Sequence, residues 1–200
     1  MAKSLLHVTL FLIIIITGCH EKQNKIPSAK KEKVSQFIPV TEFISGELNK
    51  LDNLEVAPLK IISSNNRIDS EWLRKGELRS YTNEFLNPII DSIHQSSFFI
   101  EKSFLDQTIN AFTFSYDPMV KLPDSVSLRR WDVYVDPEKR TITRVYIVKE
   151  HSLKNGGHST EQLTWKSNES FKITLIEDKD NQKSKVSNLE VIWNFKDNNK

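Results

Sequence analysis

The sequence has one cysteine, Cys19, in 200 residues, so no disulfide can form within the chain and stability must come from a packed core. Glycine and proline are sparse, at 5 and 7 residues. That is about half their usual combined share, which excludes collagen-like and low-complexity architectures. Neither sign of charge dominates, since 28 Lys and Arg against 26 Asp and Glu leave a formal charge of +2. No nucleic-acid partner is expected, because one would call for a marked basic excess. Catalytic signatures are missing too. There is no G-x-S-x-G elbow, no Gly-rich phosphate loop and no H-E-x-x-H. What remains is an ordinary globular composition, 38% hydrophobic and 27% charged, at a length that suits a single domain.

The most specific signal lies at the N-terminus. Lys3 supplies a short positive region, and the chain from Leu5 to Ile16 is apolar apart from His7 and Thr9. As helix that run spans only about 18 Å, against about 30 Å for a hydrocarbon core. A short apolar stretch followed by small residues predicts a secretory signal, removed after export. The small residues are Thr17 and Gly18, and Cys19 follows directly.

Ile16-Thr17-Gly18-Cys19 resembles the lipobox of bacterial lipoproteins, in which an aliphatic residue and two small ones precede the cysteine. The resemblance covers the signal alone, and Ile16 stands where Leu is usual. It implies cleavage before Cys19, a diacylglycerol on the Cys19 sulfur and often a further acyl chain on the new amine. Two or three acyl chains anchor stably, at about 0.8 kcal/mol per buried CH₂. The implied address is an exported, membrane-anchored protein facing the periplasm or the cell surface. The alternative is an ordinary or uncleaved signal with an incidental cysteine.

Residues 19–36 read as a lipidated, disordered tether, because their few apolar members show no periodicity. Lys22, Lys25, Lys30, Lys31 and Lys33 could touch anionic headgroups or simply remain solvated. The single domain is expected over 37–200. Pro39 and the spacing of Val40, Phe43, Ile44, Leu48 and Leu51 predict a first helix. Asp69 as a cap, with Ile68 and Leu73 as a staple, predicts a second helix over 69–95, interrupted near Asn87-Pro88.

Beyond Ser96 the apolar period changes from 3.6 to 2. Phe98 to Phe104, Phe112 to Tyr116, Trp131 to Val135, Thr141 to Val148, Leu163 to Trp165, Phe171 to Leu175 and Leu189 to Phe195 read as strands. Short turns such as Asp136-Pro137-Glu138-Lys139 join them, which makes neighbours antiparallel. The fold expected is α+β, with N-terminal helices packed on a curved antiparallel meander of about six or seven strands. This helix-then-meander pattern, with its phenylalanine-rich strand at Phe112–Tyr116, resembles small exported lipoproteins of unassigned function. The general shape is similar to carriers and accessory lipoproteins that lay a helix across a half-open sheet, a likeness of architecture only.

Chemistry-bearing residues are few. His151 and His158 bracket a loop that could bring them together, but two ligands fall short of the three or four that zinc needs. Asp178-Lys179-Asp180-Asn181-Gln182 opens like a calcium loop, yet Lys183 and Leu189 stand where the glycine and the bidentate Glu belong. No metal and no cofactor is expected. The aromatic residues carry the more informative pattern. Phe112, Phe114, Tyr116, Trp131 and Trp165 fall on the apolar side of strands, as core or as the lining of a cleft for an apolar ligand. The function expected is a cell-envelope lipoprotein with a non-catalytic binding or accessory domain, partnered by the membrane through Cys19 and by an envelope protein. A carrier of a small apolar ligand between sheet and helix is the alternative, and an envelope hydrolase the third class.

Overall fold

The computed structural model describes residues 37–195 apart from 54–56, 66, 75, 91, 155 and 180–182. The signal, Cys19 and the tether therefore lie outside the described residues. The domain is mostly β. It opens with helix α1 (Val40–Leu51), followed by strands β1 (Leu59–Ser64) and β2 (Arg67–Trp72) and a 3₁₀ turn (Glu77–Tyr81). Two single-turn helices, α2 (Asn83–Leu86) and α3 (Ile93–Ser96), lead into the remaining strands. These are β3 (Phe99–Asp106), β4 (Ala111–Pro118), β5 (Leu128–Val135), β6 (Ile142–Ser152), β7 (His158–Lys166), β8 (Ser170–Asp178) and β9 (Lys185–Ile192).

All nine strands form one antiparallel sheet in the order β2-β1-β9-β8-β7-β6-β5-β4-β3. The meander runs through consecutive neighbours from β3 to β9, and the β1–β2 hairpin returns to pair β1 with β9. The sheet is open, with β2 and β3 at its edges.

Turn chemistry sets the register. The Asp136 carboxylate accepts from the N–H groups of Glu138 and Lys139, both at 2.9 Å, which closes the β5–β6 turn. Asn65, Asn110 and Asn168 take positive φ at hairpin ends, where asparagine tolerates the left-handed region. Gly157 is required by space as well as by its φ of 88°, because an added Cβ would stand 2.1 Å from the Asp178 carbonyl oxygen.

Several expectations from sequence are corrected here. The domain is mostly β rather than α+β, its sheet has nine strands rather than about six or seven, and no helix spans 69–95. Residues Arg67–Trp72 are an edge strand, exposed along its whole length. The apolar stripe after it is used by short turns that bury Leu78, Phe85 and Ile90. Pro88, whose bond to Asn87 is cis, lacks the N–H that a continuous helix needs. The last strand also ends sooner than its alternation suggests. Val191 and Trp193 are buried, but β9 stops at Ile192 and Phe195 is exposed, edge-on to Trp72 at 5.7 Å.

The core lies between one face of the sheet and the helical cap. Residues in register across β8 to β4 make two apolar rows on that face. One runs Phe171, Trp165, Val145, Val133 and Phe114; the other runs Ile173, Leu163, Ile147, Trp131 and Tyr116. Over them α1 buries Val40, Ile44 and Leu48, spaced four apart on one helical stripe. A buried acid pins this helix to the sheet. Glu47 accepts from Ser167 Oγ at 2.9 Å and from the Asn168 N–H at 3.1 Å, and Lys50 donates to it at 3.0 Å.

Candidate functional site

The aromatic residues singled out from sequence fall under the cap to different depths. Tyr116, Trp131 and Trp165 have no exposed surface, Phe114 is half-buried, and Phe112 is 41% exposed. The period of two does put Phe112, Phe114 and Tyr116 on one face, in register with Val135, Val133 and Trp131. What it could not reveal is that the cap covers only the Tyr116 end of that row.

Two ring clusters result. Tyr116 stacks on Trp131 with centroids 4.5 Å apart, and Phe37 lies 4.8 Å from the first and 5.9 Å from the second. Phe99 meets Trp131 at 4.7 Å. In the other cluster Trp165 stacks on Phe171 at 5.7 Å, with Phe85 edge-on at 5.5 Å and Trp193 at 5.4 Å. Phe37 and Phe85 come from the cap, so the protein's own rings occupy the space above both clusters. The Tyr116 hydroxyl accepts the Ile38 N–H at 3.3 Å, and burial pushes its phenol far above the ordinary range. Among the described residues the indole N–H groups of Trp131, Trp165 and Trp193 are buried without a partner.

A polar row borders this core. Lys149 sits in phase with Val145 and Ile147, so the strand period turns its side chain under the cap, where it is 2% exposed. Its ammonium donates to the carbonyls of Glu84 and Asn87, both at 2.5 Å, and pairs with the Glu84 carboxylate at 3.0 Å. These are carbonyls at the end of α2, where a cation is favoured. Glu161 lies opposite Lys149 in register. Burial, then the neighbouring Glu84 charge, holds its carboxyl above the usual range, against the opposing pull of Lys149 and His151. His151 Nε2 stands 3.9 Å from Glu161 Oε2. Nothing in a motif search finds this cluster. The available signal is a lysine in phase with the apolar side of a strand.

Among the described residues the opposite face of the sheet carries no cap, and it has its own charge pattern. Arg130 and Asp132, neighbours on that face, form a close pair at 3.0 Å, and Asp117 lies 3.7 Å from Arg130. Asp117 also pairs with Lys102 at 3.0 Å. Tyr134 and Tyr146 flank Asp132, and burial raises both phenols. Further along, the Arg144 guanidinium lies over the Tyr134 ring at 5.2 Å.

The two loop histidines are not brought together. His158 is in register with Ser152, so it faces away from His151, the next residue along β6. Among the described residues no group of three or more His, Cys, Asp or Glu is placed to hold a metal ion. The stretch that opens like a calcium loop lies partly outside them, at 180–182. No described helix is long and apolar enough to cross a membrane. A surface depression of about 420 Å³ lies at the sheet end between the β5–β6 and β7–β8 turns, lined by Lys139, Thr141, Arg144, Lys166 and Asn168 among others. No protein-family model matches the sequence, and neither a curated protein nor a solved structure matches it.

Proposed function

We propose that this chain is an exported lipoprotein of the cell envelope, anchored through Cys19, whose mostly-β domain over 37–200 is a non-catalytic binding or accessory module. The anchor rests on Ile16-Thr17-Gly18-Cys19 and on Cys19 being the sole cysteine. One observation carries the reading of the domain. Phe37 and Phe85 fill the ring-lined space between cap and sheet, while among the described residues no helix covers the other face, which carries charged and tyrosine side chains. A module built this way offers its outside rather than its inside. The rival reading, a carrier of a small apolar ligand, requires the cap to lift from those rings.

Native mass spectrometry of the full chain purified from its host membranes separates the two. The polypeptide plus its anchor lipid alone is expected, and a further apolar molecule held at constant stoichiometry would favour the carrier. The anchor has its own test, in which Cys19→Ser is expressed with labelled fatty acid and the cells are fractionated. Loss of label and release from membranes are expected. Retention of both would rule out lipidation at Cys19.

A further inference from the structure

The depression between the β5–β6 and β7–β8 turns sets three cations, Lys139, Arg144 and Lys166, beside two acids, Asp136 and Glu169. Arg144 on β6 and Lys166 on β7 are direct cross-strand partners, so both side chains leave the same uncovered face side by side. Like charges in that relation repel. Lys139, from the β5–β6 turn, adds a third cation to the same lining.

The acids nearby are already engaged. Glu169 pairs with Lys166 at 3.1 Å. Asp136 turns its Oδ1 into its own turn, onto the N–H groups of Glu138 and Lys139. Glu47, behind the wall, is held by Ser167, Asn168 and Lys50. Among the described residues Arg144 has no carboxylate partner, and its guanidinium rests on the face of Tyr134 at 5.2 Å. A ring beneath a guanidinium fixes its plane and leaves its N–H edge free for a planar, two-point acceptor. Glu47 fixes the facing wall from behind through the same Ser167 and Asn168 contacts, so the cleft is largely preformed.

We infer that this depression is a binding site for an oxyanion of the phosphate class, with Arg144 as the two-point donor and Lys166 and Lys139 supplying charge. Thr141, on the same lining, brings a hydroxyl as a further donor. Lys166 already pairs with Glu169, which leaves Arg144 as the donor an added anion would meet, and Arg is the side chain best matched to phosphate geometry. The inference stands on this geometry and not on the lipid anchor. The phosphate can belong to a soluble phosphorylated compound or to an anionic lipid headgroup, and the experiment has an arm for each.

The full chain is held in neutral detergent micelles while backbone amide resonances are followed by NMR. Inorganic phosphate is titrated in one arm. Short-chain phosphatidylglycerol is added in the other, with phosphatidylcholine as its control. Saturable shifts confined to residues 136–144 and 166–169 are expected. Arg144→Gln, an exposed change whose spectrum reports its own folding, should weaken binding at least tenfold. Lys121→Gln, an exposed cation outside the depression, should leave it unchanged. A response to phosphate alone identifies a soluble ligand, and a response to phosphatidylglycerol that phosphate competes away identifies a headgroup. Shifts spread over the surface, no saturation in either arm, or an Arg144→Gln variant that binds like the wild type would overturn the site.

Discussion

Glu161 gives the domain a pH dependence whose sign can be worked out. Its carboxyl is held above the ordinary 4.5 in the folded protein, chiefly by burial and then by the Glu84 charge, with Lys149 and His151 opposing. The folded state therefore keeps this proton more tightly than the unfolded chain does. Its contribution is fully present below about pH 4 and is lost as pH rises through the folded value. Glu161→Gln keeps the neutral shape and removes the titration. The variant should match the wild type in urea midpoint at pH 4 and exceed it at pH 8. A constant difference across that range would assign the effect to packing alone. Trp193 makes a different kind of contribution. It is 4% exposed and packs against Trp165 at 5.4 Å and Phe171 at 6.3 Å. Trp193→Ala should cost about 3–5 kcal/mol in a urea melt, the range for truncating a buried aromatic. A loss below about 1 kcal/mol would remove it from the core.

At the scale of elements, α1 holds the cap in place, and Ile44 is the centre of its buried stripe. Ile44→Ala should destabilise by about 2–5 kcal/mol, read as a urea midpoint shift, with the sheet's far-ultraviolet circular dichroism retained before the transition. The same helix shows which elements can be read from sequence. Val40, Ile44 and Leu48 recur at four-residue steps because one face alone is buried, and β4 to β8 alternate for the equivalent reason. The hairpin β1–β2 offers no such contrast. Every residue of β2 is exposed, so burial imposes no pattern, and Ile68, Asp69 and Leu73 imitate a capped helix start. The signal that was present is the Asn65-Asn66 pair between two short runs, with Asn65 at φ 50°, the chemistry of a tight hairpin turn. Of the candidate site, the aromatic face was legible as a face. Lys149 and Glu161 were not, since their meeting depends on the register of β6 with β7 and on a cap more than sixty residues upstream.

Among the described residues, the cap and sheet share one core, against which Phe37 packs. A chain beginning at Phe37 should accordingly melt within a few degrees of the longer form, checked by circular dichroism. Loss of a cooperative transition would show that earlier residues belong to the fold. The place where the chain enters also decides how the domain meets force. Phe37 rests on Tyr116 and Trp131, and the Ile38 N–H is donated to the Tyr116 hydroxyl. Tension applied through Phe37 from its N-terminal side thus arrives first at a ring contact and one hydrogen bond. It reaches the strand ladders only after that. Such a load peels α1 from its seat while the sheet stays zipped, which would lay the stacked Tyr116 and Trp131 open to water. A domain pulled from this end yields at its lid before it yields at its frame.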